Sequence, residues 1–300
     1  MTFRSAVPAL GLLLTPWLAI DAQPRAIVPV VLTLPSGPRT LALGDVGVTS
    51  RDDEVIFFNP AQLVIANGFS TSGERYASGS SGAALSAVTR FNGGGVALGM
   101  RTQSAGGDFI SNPGTPGTFV QSLVSSSLEL SVGVAQAFKG IRFGVAGKYA
   151  EQEDGASRLE RGLVDLGVSK VVFGSYTVGA AVQNLGQDAD LPGSVEAELP
   201  RQATLGVSRG GPVGEFDLFG TAAVSWVRSN TLAPAGGLEV NYSWLSGYNI
   251  ALRAGARRPL PGEEAFTAGA GLTMDRLSID YALETLSGGR VGNRLGLRIR

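Results

Sequence analysis

"GIRFGVAGKYA", residues 140–150, alternates residue by residue: Ile141, Phe143, Val145 and Tyr149 fall on one face, Arg142, Gly144, Ala146 and Lys148 on the other. A period of two is that of an extended strand, not of a helix. The second face is small or basic, so it is not an ordinary protein core. Such a strand meets an apolar medium on one side and a crowded polar space on the other. Lys139-Gly140, just before it, reads as a tight turn.

The same pattern recurs outward in both directions. In "RLSIDYALET" (276–285), Leu277, Ile279, Tyr281 and Leu283 oppose Ser278, Asp280, Ala282 and Glu284. In "VGNRLGLRIR" (291–300), Leu295, Leu297 and Ile299 oppose Arg294, Gly296, Arg298 and Arg300. About fourteen such runs can be drawn: 68–78, 82–91, 93–104, 122–138, 140–151, 160–173, 175–184, 200–209, 214–228, 234–245, 247–257, 264–275, 276–286 and 290–300. Each is about 10 residues or longer, the length a tilted strand needs to cross a bilayer, whereas soluble sheets favour strands of about 5–6.

The connections alternate too. Tight ones fall at "NGG" (92–94), Lys139-Gly140, Gly174-Ser175, "GGPVG" (210–214), Ser246-Gly247 and Asp275-Arg276. Between them come mostly longer polar ones: "SAGGDFISNPGTPGT" (104–118), "EQEDGASR" (151–158), "GQDADLPGSVEAE" (186–198) and "RRPLPGEE" (257–264). Short turns at one end and long loops at the other are the signature of an outer-membrane barrel. Phe91, Phe138, Phe173, Tyr176, Tyr242, Trp244 and Tyr248 lie beside the tight turns, with Tyr149, Trp226 and Phe266 towards the long loops. These positions suit two interfacial girdles. The fold expected is all-β, a transmembrane antiparallel β-barrel of about 14 strands over 68–300.

Composition agrees with that class. The 300 residues include 43 glycines, only 16% charged residues and a net charge of −1, which gives no electrostatic reason to expect nucleic acid. The chain has no Cys and no His, which removes Cys nucleophiles, imidazole bases and Cys/His zinc sites. The run "SVGVAQAFKG" (131–140) lacks the G-x-x-x-x-G-K-[ST] of a phosphate loop, and the Gly-x-Ser-x-Gly spacing at Gly206–Gly210 falls across an alternating strand run in a chain with no His to activate the serine. The expectation is a non-enzyme with no cofactor and no metal.

At the N-terminus, Arg4 precedes "AVPALGLLLTPWLAI" (6–20) and Ile20-Asp21-Ala22, the pattern of a signal peptide over 1–22. The segment 23–67 then contains one odd stretch, "FFNPAQLVIANGF" (57–69). Asn59 is a natural N-cap, Pro60 a first helical residue and Asn67-Gly68 a natural stop. A helix of about two turns is not stable alone. The enclosure available to it is the barrel lumen, so 36–67 is expected to form a short helical plug. Asp52, Asp53 and Glu54 are read as a solvated acidic turn before that helix rather than as a cation site. Arg142, Lys148, Asp165, Glu239, Arg253, Asp280, Glu284, Arg294 and Arg298 are expected to face the lumen and hold the plug by ion pairs, with Arg39 pairing a barrel carboxylate.

"GPRTLALGDVGVTSRDDEVIFFNPAQLVIA" (37–66) resembles the N-terminal signature of FadL-type outer-membrane proteins, and more closely of their PorV/PorQ branch. The matching residues are Arg39, the "ALG" ending at Gly44, Asp52-Asp53, then Phe58, Asn59, Pro60, Ala61 and Leu63. "LSIDYALETLSGGRVGNRLGLRIR" (277–300) resembles the family's closing hairpin. The resemblance implies a fourteen-stranded barrel with an N-terminal plug, and passive passage of small hydrophobic molecules across the outer membrane. Its PorV/PorQ branch implies the alternative of a sealed barrel serving type IX secretion or cell-surface attachment. Implied partners are outer-membrane lipids, the barrel-assembly machinery, and either hydrophobic small molecules or secretion-system proteins. The chain departs from the pattern in ending Ile299-Arg300 without a terminal aromatic, and in its modest loops.

Overall fold

The computed structural model describes residues 26–27, 29–76, 79–107, 123–155, 157–191, 195–227, 231–259 and 263–300. The signal peptide and cleavage site read at 1–22, and most of the 104–118 loop, lie outside them. A two-residue strand β1 (Ala26–Ile27) comes first. The barrel strands begin with β2 (Gly68–Tyr76), β3 (Ser81–Phe91), β4 (Gly94–Gly107), β5 (Leu123–Phe138), β6 (Ile141–Asp154), β7 (Ser157–Val172) and β8 (Tyr176–Leu185). Two short strands follow, β9 (Ala189–Leu191) and β10 (Val195–Glu198). The barrel continues with β11 (Gln202–Val213), β12 (Phe216–Val227), β13 (Thr231–Leu245), β14 (Tyr248–Arg257), β15 (Glu263–Met274), β16 (Leu277–Leu286) and β17 (Arg290–Ile299).

The fourteen long strands close into one antiparallel barrel, with β17 returning to β2 from Phe69↔Ile299 to Tyr76↔Gly292. Each of the fourteen expected runs overlaps one strand. The bounds shift where glycine or proline reads as a turn but sits in a ladder. β11 runs on through Gly210-Gly211-Pro212 and pairs with β12 up to Val213↔Phe216, so the turn placed at 210–214 shrinks to Gly214-Glu215.

Alternation sorts the side chains. On β4, Val96, Leu98 and Met100 are exposed on the exterior, while Ala97 and Arg101 are buried inside. An exterior of exposed Leu, Val, Ile and Phe on nearly every strand is a surface for lipid rather than water. Phe91, Phe138, Phe173, Tyr242, Trp244 and Tyr248 are exposed at the tight-turn end, and Trp226 and Phe266 at the other; Tyr149 and Tyr176 are half-buried.

The N-terminal segment runs the length of the lumen. β1 pairs in parallel with β10, itself antiparallel to β9, in a small sheet that belongs to the long 186–201 connection. The chain then enters the barrel: Val31 and Leu32 are buried against Ala150, Leu163 and Leu199. It leaves at the tight-turn end, where Gly68 opens β2. The luminal segment therefore starts ahead of the expected residue 36 and is tied at the long-loop end as well.

Its secondary structure is more broken than one helix. There is one α-helical turn, α1 (Pro38–Ala42), and 3₁₀ turns at Val30–Thr33, Asp53–Phe57 and Pro60–Val64. Asn59 does cap the last of these, its side chain accepting from the Ala61 N–H, with Pro60 at the first position. The end differs from the sequence reading. The turn stops at Ile65 in αR backbone, and Gly68, at φ +129°, belongs to the strand. A Cβ on Gly68 would lie 2.5 Å from the Ile299 carbonyl oxygen, so this glycine serves the β17–β2 seam.

The wall gives way to the plug elsewhere. A Cβ on Gly237 of β13 would fall 2.6 Å from the Leu43 Cα. Gly237→Val is expected to close a barrel that excludes this part of the plug. Limited proteolysis should then cut within 36–67 at least about ten times faster than in the parent, while the heat-modifiable mobility shift of the barrel persists.

Candidate functional site in the plugged lumen

Asp52 is the point at which plug and wall are joined most densely. It accepts from Arg39 Nη1 at 2.7 Å, from Arg300 Nη2 at 2.8 Å and from Arg298. Arg39 also donates from Nε to Glu239 Oε2 at 2.8 Å. Arg253 links Glu239 to Asp280, donating from Nη1 to Asp280 Oδ1 at 2.7 Å, and Arg298 Nε reaches Asp280 Oδ2 at 2.9 Å. Burial by itself would raise the Asp52 carboxyl, but the guanidinium groups of Arg39, Arg298 and Arg300 outweigh it and hold the group well below the usual range.

A second network lies across the lumen. Lys148 Nζ sits 2.7 Å from Asp165 Oδ2 and 3.4 Å from Glu129 Oε1, and Arg101 also pairs with Glu129. Arg101 donates to the Leu34 carbonyl at 2.8 Å and lies 4.7 Å from the centre of the Phe57 ring, so it ties wall to plug. A bulge in β8 opposite Asp165 turns both Gln183 and Asn184 inward, with Asn184 at φ +59°. Gln183 then donates to the Phe57 carbonyl at 2.8 Å. Arg294 holds the Pro35 carbonyl and pairs with Glu74, Glu284 pairs with Arg257, and Arg142 donates to Gln62 Oε1 at 2.8 Å.

The signature residues pack the plug against itself and the wall. Asn59 Nδ2 donates to the Val48 carbonyl at 2.9 Å while its oxygen caps Ala61. Ala61 and Leu63 are fully buried, and Leu63 joins Val55, Ile56 and Phe57 against Val88, Ala97, Ala135 and Ala146 of the wall. The Phe58 ring covers Gly47. Gly44, at φ +75°, turns the chain beneath the Ala256 carbonyl.

The acidic run is not solvated, contrary to the sequence reading. Asp52, Asp53 and Glu54 are 2%, 0% and 3% exposed. A turn that reads as a water-facing cap is folded inside the barrel because Arg39, Arg298 and Arg300 neutralise its first residue. Asp53 has no hydrogen-bond partner for either carboxylate oxygen. Burial, then the Asp52 charge, raises its carboxyl. Glu54, packed on Gly37, is pushed up to about 8 by burial and by Asp52 and Asp53, against the pull of Arg298 and Arg294. Among the described residues no group of three or more acidic side chains is arranged to hold a metal ion.

The apolar run Val55–Phe58 does not line an open path. Val55, Ile56 and Phe57 are buried, and the β2–β7 ladders pair without a break. Among the described residues, two separate cavities flank this part of the plug, each about 370 Å³. The upper one, towards the long loops, is lined by Leu32, Leu34, Phe57, Phe58, Pro200 and Val227, with Arg101 and Asp45 as its charged members. The lower one, towards the tight turns, is walled by arginines. They share no lining residue. Between Asp45 in the upper and Arg51 in the lower, plug residues 46–50 are all buried. Arg101, Glu129, Glu74 and Arg257 were not singled out from the sequence, although each sits at an inward position of the period-two pattern.

The fold and site define a closed fourteen-stranded barrel whose lumen is occupied by its own N-terminal segment. No family model matches the chain, and no curated protein matches it in sequence. Solved structures do match it in shape. The TodX monoaromatic hydrocarbon channel, as its ΔS2S3 mutant, gives a TM-score of 0.57 at 12% identity, over 88% of this chain and 97% of that one. The CymD monoaromatic hydrocarbon channel gives 0.59 at 10%, over 88% and 96%. A Pseudomonas aeruginosa FadL homologue gives 0.58 at 11%, over 92% and 99%. At these identities the likeness is one of fold.

Two outcomes follow from the buried charges. Asp52→Asn leaves Arg39 and Arg298 buried with one carboxylate fewer, which should destabilise plug docking by about 3 kcal/mol, measured as protease protection of 36–67 against urea. For Glu54 the folded value lies above its ordinary value of 4.5, so the docked state holds a proton that the undocked state releases. That stabilisation is full below about pH 4.5 and is lost as pH rises towards 8. Glu54→Gln should flatten the decline in plug protection between pH 5 and 9 and exceed the parent at pH 9.

Proposed function

We propose that this protein is a channel of the bacterial outer membrane, exported by a cleaved signal peptide, through which small hydrophobic solutes pass by diffusion. The structure holds it with the plug across the lumen. The observation that carries this reading is the upper cavity: an apolar pocket of about 370 Å³ that sits on the plug at the long-loop end. That size and lining suit a small hydrophobic molecule. The fold likeness to channels described as carrying monoaromatic hydrocarbons supports the same class of solute. Outer-membrane lipids would cover the apolar exterior, and the barrel-assembly machinery would insert the chain. The nine luminal charges act as plug anchors in this reading, not as a catalytic set.

The dense pinning of Asp52 favours a second reading, a barrel with a permanently closed lumen that serves secretion or cell-surface attachment, as in the PorV/PorQ branch. Uptake of a labelled monoaromatic hydrocarbon across a lipopolysaccharide-bearing outer membrane separates the two. Cells making the protein are expected to take it up several-fold faster than cells without it, and Leu34→Lys, which charges the upper pocket, should abolish the gain. No gain from the parent, with liposomes leaking ions only after deletion of 36–67, would replace the channel reading with the closed-barrel one.

A further inference from the structure

The lower cavity has a composition that the plug anchors do not account for. Six arginines line it (Arg39, Arg51, Arg253, Arg276, Arg298 and Arg300) against three carboxylates, Asp52, Glu239 and Asp275. Cations remain in excess when Asp280, which holds Arg253 and Arg298 from behind, is added. Four of the arginines are engaged in the Asp52–Glu239–Asp280 network. Arg51 and Arg276 are not: both are exposed at the mouth, and among the described residues neither guanidinium has a hydrogen bond or ion pair. Arg142 is a further cation near enough to Arg51 for the two to repel. Asn241, Asn249, Thr273 and Ser278 fill out the lining with amide and hydroxyl donors.

A water-filled concavity with guanidinium groups on several sides, and too few acceptors for their N–H groups, is complementary to an anion with many oxygens. The low-dielectric wall concentrates the field there. We propose that this vestibule, at the tight-turn end of the lumen, binds a small polyvalent oxyanion carrying phosphate or carboxylate groups, with Arg51 and Arg276 as its free cationic arms. A cavity of about 370 Å³ takes a group the size of a diphosphate or a tricarboxylate. The site does not depend on which solute crosses the barrel, because it shares no residue with the upper pocket.

The test is calorimetric titration of the full-length refolded protein in nonionic micelles with pyrophosphate, at ionic strength held constant with sodium chloride. Binding is expected to weaken at least tenfold in the Arg51→Gln/Arg276→Gln double variant. Both residues are exposed and lie outside the plug anchors, so the heat-modifiable shift should be unchanged. The Leu34→Lys variant should bind like the parent. Pyrophosphate affinity equal in parent and double variant, or no saturable binding at matched ionic strength, overturns the proposal. Repeating the titration in nanodiscs with and without phosphatidylglycerol assigns the source: competition by that lipid identifies a headgroup as the occupant, and unchanged affinity identifies a free anion.

Discussion

Everything in this chain depends on one requirement, that each backbone N–H and C=O facing hydrocarbon be paired within the protein. A sheet meets it only by closing on itself. Closure through β17 and β2 removes both edges, and it fixes the remaining choices. Exterior positions must be apolar, interior positions fall in a confined space that lipid cannot reach, and the two must alternate along every strand. Polar residues that a soluble core would reject are therefore collected inside, where they need partners.

The plug supplies those partners. Buried charges are stable only when paired and hydrogen-bonded, and the lumen reaches that condition by joining acids and bases from different elements. Asp52 comes from the plug, Arg298 from β17 and Arg300 from the residue just after it, Glu239 from β13, Arg253 from β14 and Asp280 from β16. No one strand contains a complete network: without the plug, Arg253 and Arg298 would keep Glu239 and Asp280, but Arg298 and Arg300 would lose Asp52 and Glu239 would lose Arg39. Asp53 is the exception inside the plug, a buried carboxyl without a partner beside a paired one. It and Glu54 make the acidic run a compromise between anchoring charge and desolvation.

Much of this was readable because period two is a strong local signal. The strand count, the inward placement of Arg142, Lys148 and Asp280, and the Asn59 cap each follow from a few adjacent residues. What was not readable depended on residues far apart. The Asp52-Asp53-Glu54 run looks like a solvated turn until Arg298, 246 positions away, is placed against it. Gly68 looks like a helix stop until the Ile299 carbonyl is seen above it. The β8 bulge that turns Gln183 and Asn184 inward breaks the alternation on which the strand reading relies. Nor does any local pattern show that β1 joins the β9–β10 hairpin at the opposite end from β2.

That last contact makes the luminal segment a tether fastened at both mouths. Forty residues, 28–67, lie between Ile27 and Gly68. Drawn out, they would span on the order of 130 Å, against a hydrocarbon thickness of about 30 Å. The segment is thus several times longer than the distance it must cross, and the folded turns are where the surplus is stored. Slack of that amount lets the chain be laid along one wall with neither end released. A passage through this barrel needs only a change of route by the tether, not its departure.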